Sequence, residues 1–525
     1  MAMKPILING EWQLGDYVGS FQATNPTTAQ IIATEYPISG RGDLELALNA
    51  GVAASRELAQ SSAEQRATFL ERYADLIEAN RQQLSELAHS ETGLPIEPRL
   101  NSVELPRTVN QLRQAANAVR NHTWELATID SKANIRSLYG SLAAPVAIFG
   151  PNNFPFAYNA IAGSDFASAI AAGNAVIAKG HPSHPATTER LAQLAHEAVL
   201  AAGLPAASVQ LLYGLPDELG LALVSHPLIG AIGFTGSRRA GLALKAAADQ
   251  AGKAIYLEMS SINPVVMLAG AVTERAEALA AEFAGSCTLG AGQFCTNPGL
   301  LILEHSAASN EFIEATKTHF SQYPSLTLLN QGVLAGIEEG ISALHDAGAQ
   351  VLVGGHGLDD GYRYANSLLY VAGNSFLANP QALSHEVFGP VSLIVECADQ
   401  AEVLQVLDCL EGNLTGSIYS SSAGTDEAFY QTVAERLRAK VGRLLNDKMP
   451  TGVAVSSAMN HGGPYPATGH AGWTAVGFPA TIRRFAALHC YDNVRESRLP
   501  SILQNANPQA IWRLVDEQWS NTSIV

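Results

Sequence analysis

Five segments of the 525-residue chain carry residue types suited to chemistry, and the first surrounds Cys295. In LGAGQFCTNPGLLI, residues 289–302, this cysteine stands among glycines and polar residues. A thiol with an ordinary pKa of ~8.5 is mostly protonated at neutral pH, so Cys295 needs neighbours to become a nucleophile. The glycines leave backbone N–H groups free to face a substrate oxygen. Since cysteine is also a common small buried hydrophobe, a packed cysteine and a reactive thiolate both remain open.

Two further polar side chains follow predicted strands. Glu258 ends the apolar run AIYLEM, and open α/β sheets place their sites at the carboxyl ends of such strands. Glutamate is rarely buried unless it is paired or functional, although a solvated strand end is an equal alternative here. In GPNNFPF, residues 150–156, an asparagine amide can donate to a developing oxyanion. Asparagine is also an ordinary turn residue, so this segment alone favours a turn.

Two segments have features of nucleotide contacts. GFTGSRRAG, residues 233–241, follows a predicted strand and opens a helix, so its backbone N–H groups can face a phosphate. It lacks the GxGxxG pattern, and a plain tight turn is the alternative. AKGHPSHP, residues 178–185, follows another strand, at the point where a dinucleotide fold recognises the adenosine ribose. Its Lys179, His181 and Ser183, with no carboxylate among them, favour a 2′-phosphate; a loop with a chance lysine is the alternative.

The elements that must position these residues show two alternations of strand and helix. An extended lead-in and long amphipathic helices occupy the chain to about residue 125. From Pro145, short apolar strands alternate with helices, one of them over residues 155–173, which predicts a parallel, doubly wound sheet buried on both faces. A second alternation follows Glu258 and predicts a second α/β domain. Its first helix, predicted over 273–285, leads to the cysteine loop.

Composition excludes several classes of protein. The net charge of −17 argues against nucleic acid or an anionic membrane as partner. The five cysteines are scattered and odd in number, without CxxC or HxxxH spacing, so we expect neither a disulfide framework nor a metal site. The sequence has no long apolar window and no apolar leader at its beginning, which predicts a cytoplasmic protein without a membrane span. The stretch 457–472 is too rich in Gly and Pro for a regular element.

Together these segments resemble the aldehyde dehydrogenase superfamily, in the family's order and over nearly the whole chain. The matching motifs are Asn153-Phe154-Pro155, Lys179, the Phe-Thr-Gly-Ser turn at 234–237, Leu257-Glu258, Gly292-Gln293-Phe294-Cys295 and Glu386-Val387-Phe388-Gly389-Pro390.

The resemblance implies an α/β aldehyde dehydrogenase fold with three parts. A Rossmann-like NAD(P)-binding domain without GxGxxG would comprise residues 1–125 and 143–256. An α/β catalytic domain would comprise residues 257–479. A small β oligomerisation flap would use residues 126–142 and 480–525, in a homodimer or homotetramer.

The resemblance also implies a role for each site residue. Cys295 would attack a small-molecule aldehyde, Asn153 and the Cys295 N–H would hold the oxyanion, and Glu258 would activate water to hydrolyse the thioester. The cofactor would contact Lys179, His181, Ser183, Thr235, Gly236, Ser237, Glu386 and Phe388, with Lys179 and Glu386 on the riboses and Phe388 near the nicotinamide.

Three segments narrow the resemblance within the family. LEMSSINP, GQFCTNPGL and HGGPYPAT are similar to α-ketoglutaric semialdehyde (2,5-dioxopentanoate) dehydrogenases and to a group of NADP-dependent fatty aldehyde dehydrogenases. Pro182 stands where NAD-preferring relatives have glutamate, so we expect NADP as the preferred cofactor, without excluding NAD. The alternatives are a fatty or broad-specificity aldehyde dehydrogenase, a CoA-acylating relative, which Glu258 argues against, and a catalytically silent structural protein on the same fold.

Overall fold

Three large sheets organise residues 3–524, the part of the chain that the computed structural model describes. Two sheets have seven strands each and are mostly parallel, and the third has five strands. The predicted doubly wound sheet and the predicted second alternation of strand and helix are both confirmed. Within residues 3–524, no helix combines the length and the apolar character that crossing a bilayer requires.

The amino-terminal part is an extended lead-in followed by helices, as predicted. The second helix begins at a capping box, in which Ser62 and Gln65 satisfy each other's backbone N–H groups. The elements are β1 (Ile6–Ile8), β2 (Glu11–Gln13), β3 (Tyr17–Asn25), β4 (Gln30–Ser39), α1 (Arg41–Leu58), α2 (Ala63–Ala79), α3 (Arg81–Thr92), a π-helical segment (Ile96–Glu104), α4 (Leu105–Arg120), β5 (Thr128–Asp130) and β6 (Ile135–Ser141).

The first sheet has the spatial order β11-β10-β7-β8-β9-β1-β2. Strands β7 to β11 run parallel, and β1 and β2 extend the edge antiparallel. Its chain order is β7 (Val146–Phe149), α5 (Ser164–Ala171), β8 (Val176–Lys179), α6 (Pro185–Ala201), β9 (Val209–Leu212), α7 (Asp217–Ser225), β10 (Ala231–Thr235), α8 (Arg238–Gln250) and β11 (Ala254–Glu258).

One predicted helix is wrong over half its length. The helix predicted over 155–173 is formed only as α5, Ser164–Ala171. Upstream, the Asn159 side chain donates to the carbonyl of Pro155 (2.9 Å) and accepts from the N–H of Ile161 (3.0 Å). An asparagine that bonds its own backbone in this way competes with the helical hydrogen bonds.

The second sheet has the order β14-β17-β18-β13-β12-β19-β20, with β14 the only antiparallel strand among those described. The predicted helix 273–285 extends over Ala269–Thr288. The elements are β12 (Pro264–Met267), α9 (Ala269–Thr288), β13 (Leu300–Glu304), α10 (Ala307–Gln322), α11 (Gln331–Asp346), β14 (Gln350–Val353), β15 (Gly357–Leu358), β16 (Arg363–Tyr364), β17 (Ser367–Ala372), α12 (Gly373–Ala378), α13 (Pro380–Leu383), β18 (Val391–Cys397), α14 (Gln400–Cys409), β19 (Asn413–Tyr419), α15 (Glu427–Arg438) and β20 (Val441–Asn446).

The third sheet joins chain segments that are far apart in sequence. Its order is β21-β6-β5-β22-β23, where β21 is Ala486–Asp492, β22 is Arg513–Val515 and β23 is Gln518–Ser520. Residues 447–479, which connect the second sheet to a 3-10 helix at Ala480–Phe485, form no helix or strand in the described chain. This agrees with the expectation for 457–472.

Candidate active site

Four neighbouring strands of the first sheet bring polar side chains to one edge. Glu258, Thr235 and Lys179 are the last residues of β11, β10 and β8, and Asn153 lies just beyond the end of β7. Because these strands are adjacent and parallel, in the order β11-β10-β7-β8, their carboxyl ends meet at the same edge. The register pairs Thr235 directly with Glu258.

Cys295 approaches this edge from the second sheet, on the loop between α9 and β13. The loop turns through three consecutive residues with left-handed backbone, Gly290, Ala291 and Gly292, at φ 57°, 56° and 66°. A Cβ at Gly292 would lie 2.1 Å from the carbonyl oxygen of Gly389, so only glycine fits there. This close approach packs the cysteine motif against the Glu-x-Phe-Gly-Pro motif.

The LEMSSINP segment fixes the backbone of the cysteine loop. The buried Asn263 side chain donates to the carbonyl oxygens of Cys295 and Asn297, at 2.9 Å each. Its Oδ1 accepts hydrogen bonds from the hydroxyls of Ser261 (2.8 Å) and Thr415 (2.9 Å). Asn263 therefore ties the LEMSSINP segment to the backbone that carries Cys295.

A buried histidine joins the cysteine to the glutamate. His461 Nε2 lies 3.4 Å from Cys295 Sγ and 2.9 Å from Glu258 Oε1. One ligand atom from each of the three residues falls within 4.8 Å of the others. His461 and Glu258 are 2% and 4% exposed, so the pair is shielded from water. The second carboxylate oxygen, Glu258 Oε2, is buried and has no hydrogen-bond partner in residues 3–524.

The electrostatics of this trio favour the protonated form of the Cys295 thiol. Burial and the negative charge of Glu258 raise the pKa of the Cys295 thiol well above its ordinary value, while the charge of Arg107 acts in the opposite direction. Burial alone would also raise the pKa of Glu258, but its charge interaction and hydrogen bond with His461 hold that pKa below its ordinary value. The thiolate that the sequence requires thus forms only with proton transfer to a neighbour.

Asn153 lies beside the cysteine with half of its amide in use. Its Nδ2 donates to the carbonyl of Gln293 at 3.0 Å. An amide carries two N–H groups, and the second has no acceptor in the described chain. The backbone N–H of Cys295 likewise has no acceptor among residues 3–524. Two donors therefore remain free next to the sulfur.

A groove of about 650 Å³ runs from the trio along the edge of the first sheet. That volume is in the range of cofactor sites. Its lining includes eight of the eleven predicted site residues, namely Asn153, Thr235, Gly236, Ser237, Glu258, Cys295, Glu386 and Phe388. Lys179, His181 and Ser183 lie outside this lining, at the end of β8. Ser183 connects to it because its hydroxyl accepts a hydrogen bond from Asn330, a lining residue, at 3.0 Å.

The groups along the groove fit a dinucleotide. Ser237 caps α8, and Ser237, Arg238 and Arg239 line the groove at the N-terminus of this helix, a kind of position that favours phosphate. The Glu386 carboxylate accepts from the N–H of Ser261 at 3.1 Å, and burial raises its pKa to about 7. Carboxylates of this kind accept hydrogen bonds from ribose hydroxyls.

Sequence reasoning missed His461 as a site residue. The histidine opens HGGPYPAT, a segment compared with relatives but given no role, in a stretch without regular structure. The available signal was a histidine before two glycines in an irregular loop. The trio contains donor types that bind zinc, whereas the sequence predicted no metal; that expectation stays a prediction.

Comparison with known proteins identifies the family of this chain. A sequence profile described as the aldehyde dehydrogenase family matches residues 12–464. The chain belongs to the aldehyde dehydrogenase family. The resemblance drawn from the sequence motifs is confirmed, and the protein is an NAD(P)-dependent aldehyde dehydrogenase rather than a silent scaffold.

Individual relatives cover nearly the entire aldehyde dehydrogenase chain. It is 39% identical to alpha-ketoglutaric semialdehyde dehydrogenase 2 of Azospirillum brasilense, over 97% of this chain and 98% of that one. It is 37% identical to alpha-ketoglutaric semialdehyde dehydrogenase of Acinetobacter baylyi, over 94% and 96%. Among solved structures, a variant of aldehyde dehydrogenase C from Pseudomonas syringae, in complex with NAD+ and octanal, has a TM-score of 0.79 at 20% identity, over 93% and 96% of the two chains. The predicted fold class is thereby confirmed.

Proposed function

We propose that this aldehyde dehydrogenase oxidises 2,5-dioxopentanoate, α-ketoglutaric semialdehyde, to 2-oxoglutarate, with NADP as the preferred cofactor. The observation that carries the substrate is the 37–39% identity with two enzymes named for this semialdehyde, over 94–97% of this chain. Cys295, His461 and Glu258 supply the nucleophile and the proton acceptors that oxidation of an aldehyde to an acid requires.

In the first half of the reaction, Cys295 becomes acylated. The thiol proton moves to the His461–Glu258 pair, which lies within hydrogen-bond reach, and Sγ attacks the aldehyde carbon to form a thiohemiacetal. The free N–H groups of Asn153 and Cys295 hold the new oxyanion, and losing one such donor typically costs about 10²–10³ in rate. NAD(P), when bound in the groove, supplies a nicotinamide ring that accepts hydride. Loss of that hydride from the thiohemiacetal carbon leaves a thioester on Cys295.

In the second half, Glu258 activates the hydrolytic water. After the pair has released the thiol proton to solvent, the unpartnered Oε2 accepts the proton of the attacking water, and His461 holds the other oxygen of the ionised carboxylate. The same His461 nitrogen, Nε2, faces both Cys295 Sγ and Glu258 Oε1, so it interacts with the thiol in the first half and with the carboxylate in the second. Water adds to the thioester carbonyl, and the carboxylic acid leaves as Cys295 regains its proton.

The loop after β8 supports the NADP preference. His181 Nδ1 accepts the N–H of Ser183 at 3.1 Å, which leaves Nε2 as the donor of a neutral ring. Burial and the neighbouring charges of His184 and Lys179 lower the pKa of His181 well below its ordinary value, so the ring is neutral at pH 7. Lys179, His181 and Ser183 thus offer an ammonium, an N–H and a hydroxyl to a 2′-phosphate, and exposed Pro182 brings no opposing carboxylate.

The test is a substrate and cofactor matrix with the purified enzyme. Measurement of kcat/KM for 2,5-dioxopentanoate, pentanal and octanal, each with NADP and NAD, should give the highest value for 2,5-dioxopentanoate with NADP, and 2-oxoglutarate as product. A higher value with NAD would overturn the cofactor assignment, and a higher value with octanal the substrate assignment.

One observation favours the second candidate, a fatty or broad-specificity enzyme. An apolar cluster of buried Phe154, Ala157, Tyr158, Phe294 and Val476 packs around the cysteine loop. Such a wall suits an aliphatic chain. The octanal arm of the matrix separates this candidate from the first.

The division into parts is also proposed. The third sheet unites the two segments assigned to an oligomerisation flap. Leu488 and Trp519 on this sheet, and Trp512 just before β22, are 60%, 58% and 62% exposed. Exposed large apolar side chains mark surfaces that associate, which supports a homodimer or homotetramer. All five cysteines are free, which supports a reducing, cytoplasmic location.

A further inference from the structure

Two arginines border the apolar cluster beside Cys295 without a carboxylate partner. Arg107, on α4, and Arg443, on β20, form no ion pair within residues 3–524. By contrast Arg99, which stacks on Phe154 of the same cluster, is neutralised by the buried Glu104. Arginines next to a desolvated apolar wall normally have an anionic partner.

Arg107 is held in place by the cluster with part of its guanidinium free. Its Nη2 donates to Tyr158 Oη at 2.9 Å and its Nε to Gln111 Oε1 at 3.1 Å. Its Cζ lies 5.2 Å from the Tyr158 ring centre and 5.6 Å from that of Phe154. The third nitrogen, Nη1, has no acceptor in the part of the chain that the structure describes. A fixed guanidinium with a free N–H edge is suited to binding a carboxylate.

Arg107 is also close to the reacting sulfur. The Tyr158 ring that it contacts lies 5.8 Å, centre to centre, from the ring of His461, whose Nε2 is 3.4 Å from Cys295 Sγ. Two side chains therefore separate the guanidinium from the sulfur, which matches a short substrate chain. A long aliphatic chain would have to pass this charge.

Arg443 approaches the cluster from another element. Its Nη1 lies 4.0 Å from Met459 Sδ, and Met459 packs on the cluster. Its Nη2 donates to the carbonyl of Pro450 at 2.8 Å, and its Nε is buried without an acceptor in the described chain. Burial lowers the pKa of Arg443, and the charges of Cys295 and Tyr158 act in the opposite direction.

We propose that Arg107, with Arg443 adding positive charge, binds the far carboxylate of a short ω-carboxylated aldehyde whose carbonyl lies at Cys295. This inference rests on the proposed function and names the residues that select its substrate class. The guanidinium edge would bind the carboxylate, Tyr158 would orient the guanidinium, and the apolar cluster would contact the carbon chain between the two ends.

The experiment compares 2,5-dioxopentanoate with pentanal, which has five carbons and no carboxylate. The kcat/KM ratio of the two aldehydes is measured for wild type, Arg107→Gln, Arg107→Lys, Arg443→Gln and the matched control Arg113→Gln. Arg113 lies on the same helix, exposed and paired with Asp75. The ratio cancels any effect of Arg107 on the reactivity of the thiol, which both substrates share.

The ratio should fall about 10- to 100-fold in Arg107→Gln, because a charge-assisted hydrogen bond to the carboxylate is lost. It should fall less in Arg107→Lys, which keeps the charge and changes only the geometry of the bond. Arg443→Gln should lower it a few-fold, and Arg113→Gln should leave it unchanged. Calorimetric binding of glutarate, a dicarboxylate without an aldehyde, should weaken at least tenfold in Arg107→Gln. Circular dichroism checks that each variant is folded.

The outcomes separate the two proposals. If the kcat/KM ratio of the two aldehydes stays at the wild-type value in folded Arg107→Gln, and glutarate binding is unchanged, Arg107 does not bind the substrate carboxylate. The protein would still be an active aldehyde dehydrogenase. A wild-type enzyme that oxidises pentanal as well as 2,5-dioxopentanoate would also overturn the role of Arg107. A wild-type enzyme that oxidises pentanal but not 2,5-dioxopentanoate would overturn the proposed function itself.

Discussion

The active site joins two regions that are built in different ways. Glu258 and Lys179 end two parallel strands of one sheet, β11 and β8, so the hydrogen-bonded register of that sheet fixes their positions. His461 lies in the irregular segment 447–479, where its N–H donates to Thr474 Oγ1 at 2.8 Å and its ring contacts Glu258. In the proposed mechanism the regular edge carries the base, Glu258, and the irregular segment carries the histidine that holds it.

Replacement of Cys295, which the two regions jointly surround, should have the largest effect. Cys295→Ala removes the nucleophile, so we expect kcat/KM for any aldehyde to fall about 10⁴-fold or more. The formation of reduced cofactor measures this. The exposed Cys409→Ala is the matched control and should retain full activity. Comparable losses in both variants would show that the sulfur of Cys295 is not special.

The strand-edge region is tested by Glu258→Gln. Without its base the thioester cannot hydrolyse efficiently, so steady-state kcat should fall about 10²–10⁴-fold. Attack and hydride loss should be less affected, because His461 can still accept the thiol proton. Stopped-flow absorbance should therefore show a burst of reduced cofactor close to one equivalent per active site. Absence of a burst would move the role of Glu258 to the acylation half of the reaction.

The irregular region is tested by His461→Gln. Since His461 holds the pKa of Glu258 down against burial, its loss should raise that pKa. The acidic limb of the kcat profile should then move to higher pH, with kcat at neutral pH about 10²-fold lower. The exposed His345→Gln serves as control. An unshifted limb would show that His461 only fills space.

The cofactor end of the edge is tested by Pro182→Glu. A carboxylate at this exposed position would repel a 2′-phosphate and accept from a 2′-hydroxyl. The kcat/KM ratio of NADP to NAD should fall about tenfold or more, whereas Pro227→Glu, at another exposed proline, should not change it. If the ratio does not move, the loop after β8 does not read the ribose.

The smallest expected effect concerns Glu386, on the groove wall. Its pKa of about 7 means that the carboxylate is half protonated near neutral pH and gains ribose-binding strength as pH rises. The KM for NADP should therefore increase a few-fold when pH falls from about 8 to about 6. Glu386→Gln should raise KM and remove this dependence. A dependence that persists in the variant would assign it to another group.

Most of the strand edge was predictable from sequence. The short apolar runs that end at Lys179, Thr235 and Glu258 predict strands, and their alternation with helices predicts that these strands are parallel. The family motifs at the ends of these runs then predict the position of the active site. The non-helical backbone before α5 was not predictable, because it depends on what the Asn159 side chain contacts.

The contribution of the irregular segment was not predictable either. His461 and Cys295 are 166 positions apart in the sequence, and nothing in HGGPYPAT predicts that they are in contact. The same holds for Asn263, whose side-chain amide donates to the carbonyl oxygens of Cys295 and Asn297 on the cysteine loop. Arg107 on α4 and Arg443 on β20 stand in sequence contexts that do not differ from those of ordinary surface arginines. Contacts between distant segments, rather than local pattern, determine all four roles.

The most direct measurement is the mass of the covalent intermediate in Glu258→Gln. After the variant is mixed with 2,5-dioxopentanoate and NADP and quenched in acid, the peptide that contains Cys295 should carry the acyl group of 2-oxoglutarate in near-stoichiometric amount. Peptides with the other four cysteines should be unmodified. An unmodified Cys295 peptide alongside formation of reduced cofactor, or an acyl group on another cysteine, would contradict the account.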